Sequence, residues 1–188
     1  MLLARFKTGL FGLLMGLMIS ACGFHLRGAY QLPDEMSSVY LGAQNLHSEL
    51  LQDLRRILKA NGSEIVNDAS LAKTSIKIEK EKIIERVVSV DNRGRASEYE
   101  VKLEILYSVN VTAKDKSNAF KIKNRKLELI RDYIYDNEAV LGKSREKNVL
   151  IRDMQRDASR LIMLQIQAAH RKNIATQSAV VPHKISPE

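Results

Sequence analysis

The chain has one cysteine in 188 residues and four histidines. A lone cysteine excludes an internal disulfide, and a free thiol in an oxidising compartment is a liability unless it is modified. The longest apolar stretch, Leu10 to Ile19, is about half the roughly 20 residues that a helix needs to cross a hydrocarbon core. A permanent transmembrane span is therefore not expected. His25, His47, His170 and His183 form no H-x-x-x-H pair, and no carboxylates stand beside them at metal-ligand spacing. There is no G-x-S-x-G elbow, no phosphate loop and no dinucleotide fingerprint. Glu79 with Glu81, and Glu98 with Glu100, could pass for acid–base pairs, but period-two spacing on an exposed strand face reads as solvated charge. No enzyme chemistry, metal or cofactor is expected.

What is present begins with a targeting signal. Arg5 and Lys7 precede the apolar stretch, and the small residues Ser20 and Ala21 follow it, the layout of a bacterial signal peptide over residues 1–21. Ile19-Ser20-Ala21-Cys22 resembles the lipobox of bacterial lipoproteins, in which the cysteine is acylated and becomes the first mature residue. Lipidation at Cys22 removes the free thiol, and two or three acyl chains give stable attachment where one would not. The next residue is Gly23 and not the aspartate that resembles an inner-membrane retention signal, so the outer membrane is the expected destination. The signal holds two of the 30 basic residues and none of the acidic ones, so removing it lowers the formal charge from +8 to +6. A moderately basic periplasmic chain meets anionic lipid headgroups, phosphorylated glycolipid or acidic protein surfaces, or carries its charge only for solubility.

The mature chain reads as a single domain over residues 22–175 with a disordered tail at 176–188. A polar lead-in with Pro33 reads as extended, and residues 39–41 as a short strand. Leu46, Leu50, Leu51, Leu54, Ile57 and Leu58 recur at helical spacing, which predicts a helix over 47–60 that stops at Asn61-Gly62. From Thr74 the period becomes two. Ile76, Ile78, Ile84, Val88 and Val90 are expected on one face, with Lys80-Glu81-Lys82 interrupting the pattern, and Asp91-Asn92-Arg93-Gly94 supplies a turn. Residues 99–113 alternate without a break and form the clearest strand. A third long strand over 120–135 shifts parity between Ile122 and Leu127, which predicts a bulge. A last helix is expected from a cap at Ser144 to about Ala169, with Leu150, Met154, Ala158, Leu161, Ile162, Gln165 and Ala169 as its stripe. The order strand, helix, three strands, helix predicts an α+β two-layer sandwich, a four-stranded and mostly antiparallel sheet under two helices.

Binding has more support than catalysis. Arg93 and Arg95 flank Gly94 at the tip of the long hairpin, where guanidinium groups suit phosphate. Charges that keep a hairpin end soluble explain them as well. Lys121, Lys123, Arg125 and Lys126 form a second basic run, and alternation places the first three on one face, either as a stripe or as a blunted edge.

Cys22-Gly23-Phe24-His25-Leu26-Arg27-Gly28 after the lipobox resembles the opening of the LptE family of lipopolysaccharide-assembly lipoproteins, and Ala96-Ser97-Glu98-Tyr99 resembles the start of that family's second long strand. The resemblance implies a two-helix, four-stranded protein seated inside the β-barrel of its partner LptD in the outer membrane. It also implies lipopolysaccharide binding through basic residues near the hairpin tip and after the third strand. On this chain the matching positions are Asn92-Arg93 and Lys143 in the loop before the last helix, and the turn also offers Arg95. The alternative is an outer-membrane lipoprotein that binds another anionic lipid or a cell-wall polymer without a barrel partner.

Overall fold

The computed structural model describes residues 32–112, 119–134 and 140–180, with side chains from 145 to 176 in the last stretch. The signal peptide, Cys22 and the Phe24-His25-Leu26-Arg27 motif lie outside the described residues, as does most of the expected tail. Pro33 is extended, with φ −61° and ψ 153°, and leads into a 3-10 turn at Asp34–Ser37 that buries Met36.

Seven elements follow: β1 (Ser38–Ala43), α1 (Glu49–Ala60), β2 (Glu64–Val66), β3 (Thr74–Val90), β4 (Ala96–Val111), β5 (Phe120–Ile134) and α2 (Val140–Val180). The strands form one sheet in the order β2-β1-β3-β4-β5. β1 runs parallel to β2 and β3, and β3, β4 and β5 form an antiparallel meander. The architecture is the expected α+β sandwich with one additional strand, since β2 is only three residues long and pairs with β1 directly after the first helix.

α1 starts where Ser48 accepts a hydrogen bond from Leu51 N at 3.2 Å, and it ends where the Asn61 side chain donates to Ile57 O and Gly62 takes φ +85°. The capping geometry moves the start from the expected 47 to Glu49. Leu50, Leu51, Leu54 and Leu58 are wholly buried on its inner stripe. α1 packs against β1, β2 and α2, and α2 lies over β4 and β5, where Val101, Leu103, Ile105, Tyr107, Val109 and Val111 of β4 are all buried. α2 is much longer than expected because no glycine or proline stands between Lys143 and Val181 to end it. Its buried stripe keeps Met154, Ala158 and Ile162 and adds Met163 and Ile166, while Leu150, Leu161, Gln165 and Ala169 are only half-buried.

Register irregularities redirect the strands: the β3–β4 ladder shifts after Ile78, after Val87 and after Ser89, and the β4–β5 ladder after Tyr107. On β3, Ile78 pairs with Tyr107 and Lys80 with Leu106, so one extra residue is inserted at the interruption seen in the sequence. Parity flips there: Ile83, opposite Leu103, shares the helix-side face with Ile76 and Ile78, and Ile84, opposite Lys102, turns to the outer face. On β5, Tyr107 pairs with Arg125 and Val109 with Ile122, and Asn124 sits in the extra position with φ 44°. This is the bulge predicted between Ile122 and Leu127. Asparagine tolerates the left-handed region that a β-branched residue would not.

Candidate functional site

Beyond Ile78 the β3–β4 hairpin has no partner on the β1 side, because β1 ends at Ala43. The twelve residues from Glu79 to Val90 carry its tip roughly 40 Å past that point. Asp91 organises the tip. Its Oδ1 accepts from the backbone N–H of Arg93 at 2.8 Å and of Arg95 at 2.9 Å, and its Oδ2 accepts from Arg95 Nε at 2.8 Å. Gly94 completes the turn at φ +73°. The backbone and side-chain hydrogen bonds from Arg95 hold the Asp91 carboxyl below the usual carboxylate range.

The two tip arginines therefore differ. The Arg95 guanidinium is engaged by Asp91 at 2.7 Å. The Arg93 guanidinium is exposed and has no partner among the described residues. Lys143 lies in the first turn of α2, not in a loop before it, because the helix already begins at Val140. One turn further on, Lys147 bonds to Glu85 on β3, so the N-terminal end of α2 lies toward the hairpin-tip end of the sheet.

That junction braces the hairpin. Glu85 accepts from Tyr133 Oη at 2.6 Å as well as from Lys147, and the Tyr133 ring stacks on Tyr99 with centroids 5.4 Å apart. Partial burial pushes the Glu85 carboxyl up, but the bonds from Lys147 and Tyr133 together outweigh it and hold the group below its ordinary range. Nearer the middle of the sheet, Gln155 donates to Glu81 at 2.6 Å. Sequence reading missed these groups, since each pairs residues more than thirty positions apart.

The outer face of the sheet is charged and internally paired. Arg86 clamps Glu100 with bonds of 2.7 and 2.9 Å. Lys102 with Glu104 and Lys126 with Glu128 are each 2.6 Å apart, with cross-contacts of 3.8 and 4.0 Å joining the four. Isoleucines interleave with these pairs, Ile130 opposite Lys102 and Ile134 opposite Glu98, and both are more than half exposed.

The basic run on β5 is divided by its bulge. Lys121, opposite Asn110, and Lys126, opposite Leu106, face outward, whereas Arg125, opposite Tyr107, faces the helices. The expected single stripe of Lys121, Lys123 and Arg125 is thus replaced by a groove of about 800 Å³ between β5 and α2, lined by Lys121, Lys123, Arg125, Lys126, Gln165 and Lys172. At its inner end Tyr107 Oη donates to Gln165 at 2.6 Å, and burial pushes the Tyr107 phenol up. Among the described residues no His, Asp and Glu are grouped closely enough to hold a metal ion, and no helix is long and apolar enough to cross a membrane.

The sequence model of the LptE family, described as lipopolysaccharide-assembly, matches residues 36–166, which is the whole sheet, α1 and more than half of α2. The chain belongs to the LptE family. Its relatives include the LPS-assembly lipoprotein LptE of Photorhabdus laumondii, 26% identical over 166 residues that cover 88% of this chain and 87% of that one. The protein of the same name in Yersinia pestis is 26% identical over 167 residues, covering 88% and 77%. Among solved structures, the rare lipoprotein B of Shewanella oneidensis superposes with a TM-score of 0.59 at 25% identity, covering 73% of this chain and 98% of that one. A lipoprotein B of Nitrosomonas europaea gives 0.60 at 26%, covering 78% and 91%. This LptE-family chain keeps the family's two-layer fold.

Proposed function

We propose that this chain is the lipoprotein component of an outer-membrane lipopolysaccharide translocon. It is anchored through Cys22 at the periplasmic face, sits within and supports assembly of an LptD β-barrel, and binds lipopolysaccharide at the hairpin end of its sheet. The observation that carries this reading is an LptE-family domain whose β3–β4 hairpin ends in a guanidinium with no partner among the described residues. Lipopolysaccharide presents phosphate groups, and a guanidinium without a carboxylate partner meets phosphate through charge-assisted, forked hydrogen bonds without first giving up another contact. Arg93 is the primary ligand, Lys143 adds positive charge from the first turn of α2, and Arg95 shapes the turn through Asp91 and contributes its field. The charged, self-paired outer face suits the wet interior of a wide barrel, where polar side chains line the lumen. Depleting the protein from its host tests the reading. The expected result is loss of newly delivered lipopolysaccharide from the cell surface together with loss of assembled barrel, and normal levels of both would overturn it.

A further inference from the structure

The end of the sheet opposite the hairpin tip carries its own concentration of positive charge. Val39, Thr74, Val111 and Phe120 form one cross-strand row across β1, β3, β4 and β5. The groove between β5 and α2 opens beside this row. Lys121, Lys123 and Lys172 have no acidic partner among the described residues, and Arg125 points to the Tyr107 hydroxyl and not to a carboxylate. Lys126 alone in the groove is held by acids, Glu128 at 2.6 Å and Glu104 at 4.0 Å. Asp34 and Glu35 belong to the entry turn beside the start of β3, on the far side of β4 from the groove. Apart from Gln165, the rest of the lining is Ile122, Ala168 and Ala169, which adds an apolar floor but no aromatic side chain. The groove selects charge.

The chain itself indicates what carries that charge. It enters the domain at this same row, where Thr74 Oγ1 donates to Glu35 O at 2.9 Å and ties the entry turn to the start of β3. Nine residues, 23–31, separate Cys22 from the described domain. Fully extended they reach at most roughly 30 Å. A membrane that holds Cys22 is therefore held at this end of the domain, whereas the hairpin tip is roughly 50 Å away along β3. We propose that Lys121, Lys123, Arg125 and Lys172 form a docking surface for the anionic phospholipid headgroups of the leaflet that carries the acyl anchor. This rests on lipidation at Cys22. Basic side chains near an anionic surface each add to attachment and act together with acyl chains as a second signal.

The test uses the full chain with Cys22→Ala, secreted behind a cleavable signal peptide so that no acyl chain contributes, and floated with vesicles of phosphatidylcholine alone or mixed with phosphatidylglycerol. The anchorless chain is expected to bind the mixed vesicles, not the neutral ones, and to release them as salt rises. Adding Lys121→Glu, Lys123→Glu and Lys172→Glu lowers binding by more than about tenfold, and adding instead Arg152→Glu, at an exposed position of α2 outside the groove, leaves it unchanged. The corresponding three Lys→Gln changes give an intermediate loss and serve if charge reversal prevents folding. Equal binding to both vesicle types, or full binding by the triple variants, overturns the proposal. So does a triple variant that binds vesicles normally but no longer copurifies with a barrel protein, which would assign the surface to a protein partner. Acylation is read separately by labelled palmitate on the unaltered chain, so a missing anchor and a missing headgroup contact give different results.

Discussion

Substituting the two tip arginines one at a time separates a ligand from a strut. In the structure Asp91 occupies the Arg95 guanidinium at 2.7 Å, whereas that of Arg93 has no partner among the described residues. A hydrogen bond to a charged group contributes about 1.5–3 kcal/mol net, and each 1.4 kcal/mol is about a factor of ten in affinity. Arg93→Ala should therefore weaken lipopolysaccharide binding by about ten- to a hundredfold. Arg95→Ala should change it by less than about threefold, because Arg95 must leave Asp91 before it can reach a phosphate. The same geometry fixes the sign of a third change. Asp91→Asn keeps an oxygen to accept from the Arg93 and Arg95 backbone N–H groups, removes the negative charge and releases the Arg95 guanidinium, so affinity should rise. Displacement of a fluorescent phosphorylated lipid A analogue, followed at two salt concentrations, measures all three. Equal weakening by Arg93→Ala and Arg95→Ala, or a loss of affinity with Asp91→Asn in a correctly folded protein, would refute the reasoning.

The brace at Glu85 should make stability depend on pH. Its carboxyl is depressed in the folded chain, so its contribution is complete above the ordinary glutamate value of 4.5 and is lost as pH falls through the lower folded value. The unfolding free energy of the unaltered chain, compared with Glu85→Gln, should fall only in that acidic window, and parallel curves down to strong acid would count against it. Ile105→Ala, at a position wholly buried between sheet and helices, should cost about 2–5 kcal/mol in urea unfolding, whereas Tyr107→Phe, which removes the 2.6 Å bond to Gln165, should cost about 1 kcal/mol. Asn124→Val forces a β-branched residue into φ 44° and should destabilise by about 1–2 kcal/mol, while Asn124→Gly should be close to neutral. A stable valine variant would mean that the bulge is not required.

Much of this fold is legible in the residues, and the departures from expectation have physical causes. β4 could be read residue by residue because its inner face pairs with the core along its length. β3 could be read only as far as Ile78, since an inserted residue there reverses the side chains that follow as far as the next irregularity after Val87, and the interruption at Lys80-Glu81-Lys82 marks the place without saying which isoleucine follows the core. The same effect broke up the basic run on β5, where the Asn124 bulge lies inside the stretch read as one stripe. β2 is too short to show any period. The end of α2 was set too early because its apolar stripe fades before its helical propensity does, and Pro182 lies two residues past its last helical residue. At the tip, both arginines were found from turn chemistry, but their different states depend on where one carboxylate points. Lys143 was placed one element too early for the same reason that α2 was read as short.

The central claim is that this LptE-family chain works within a barrel, and copurification tests it most directly. The chain, tagged at its C-terminus and extracted from outer membrane in mild detergent, should bring down one large β-barrel protein in equal amount. It should still do so when Cys22 is replaced and the chain is secreted through a cleavable signal, because protein contacts and not the anchor hold it in place. Recovery of the tagged chain alone from intact outer membrane would contradict the account and leave a free lipoprotein that binds anionic lipid.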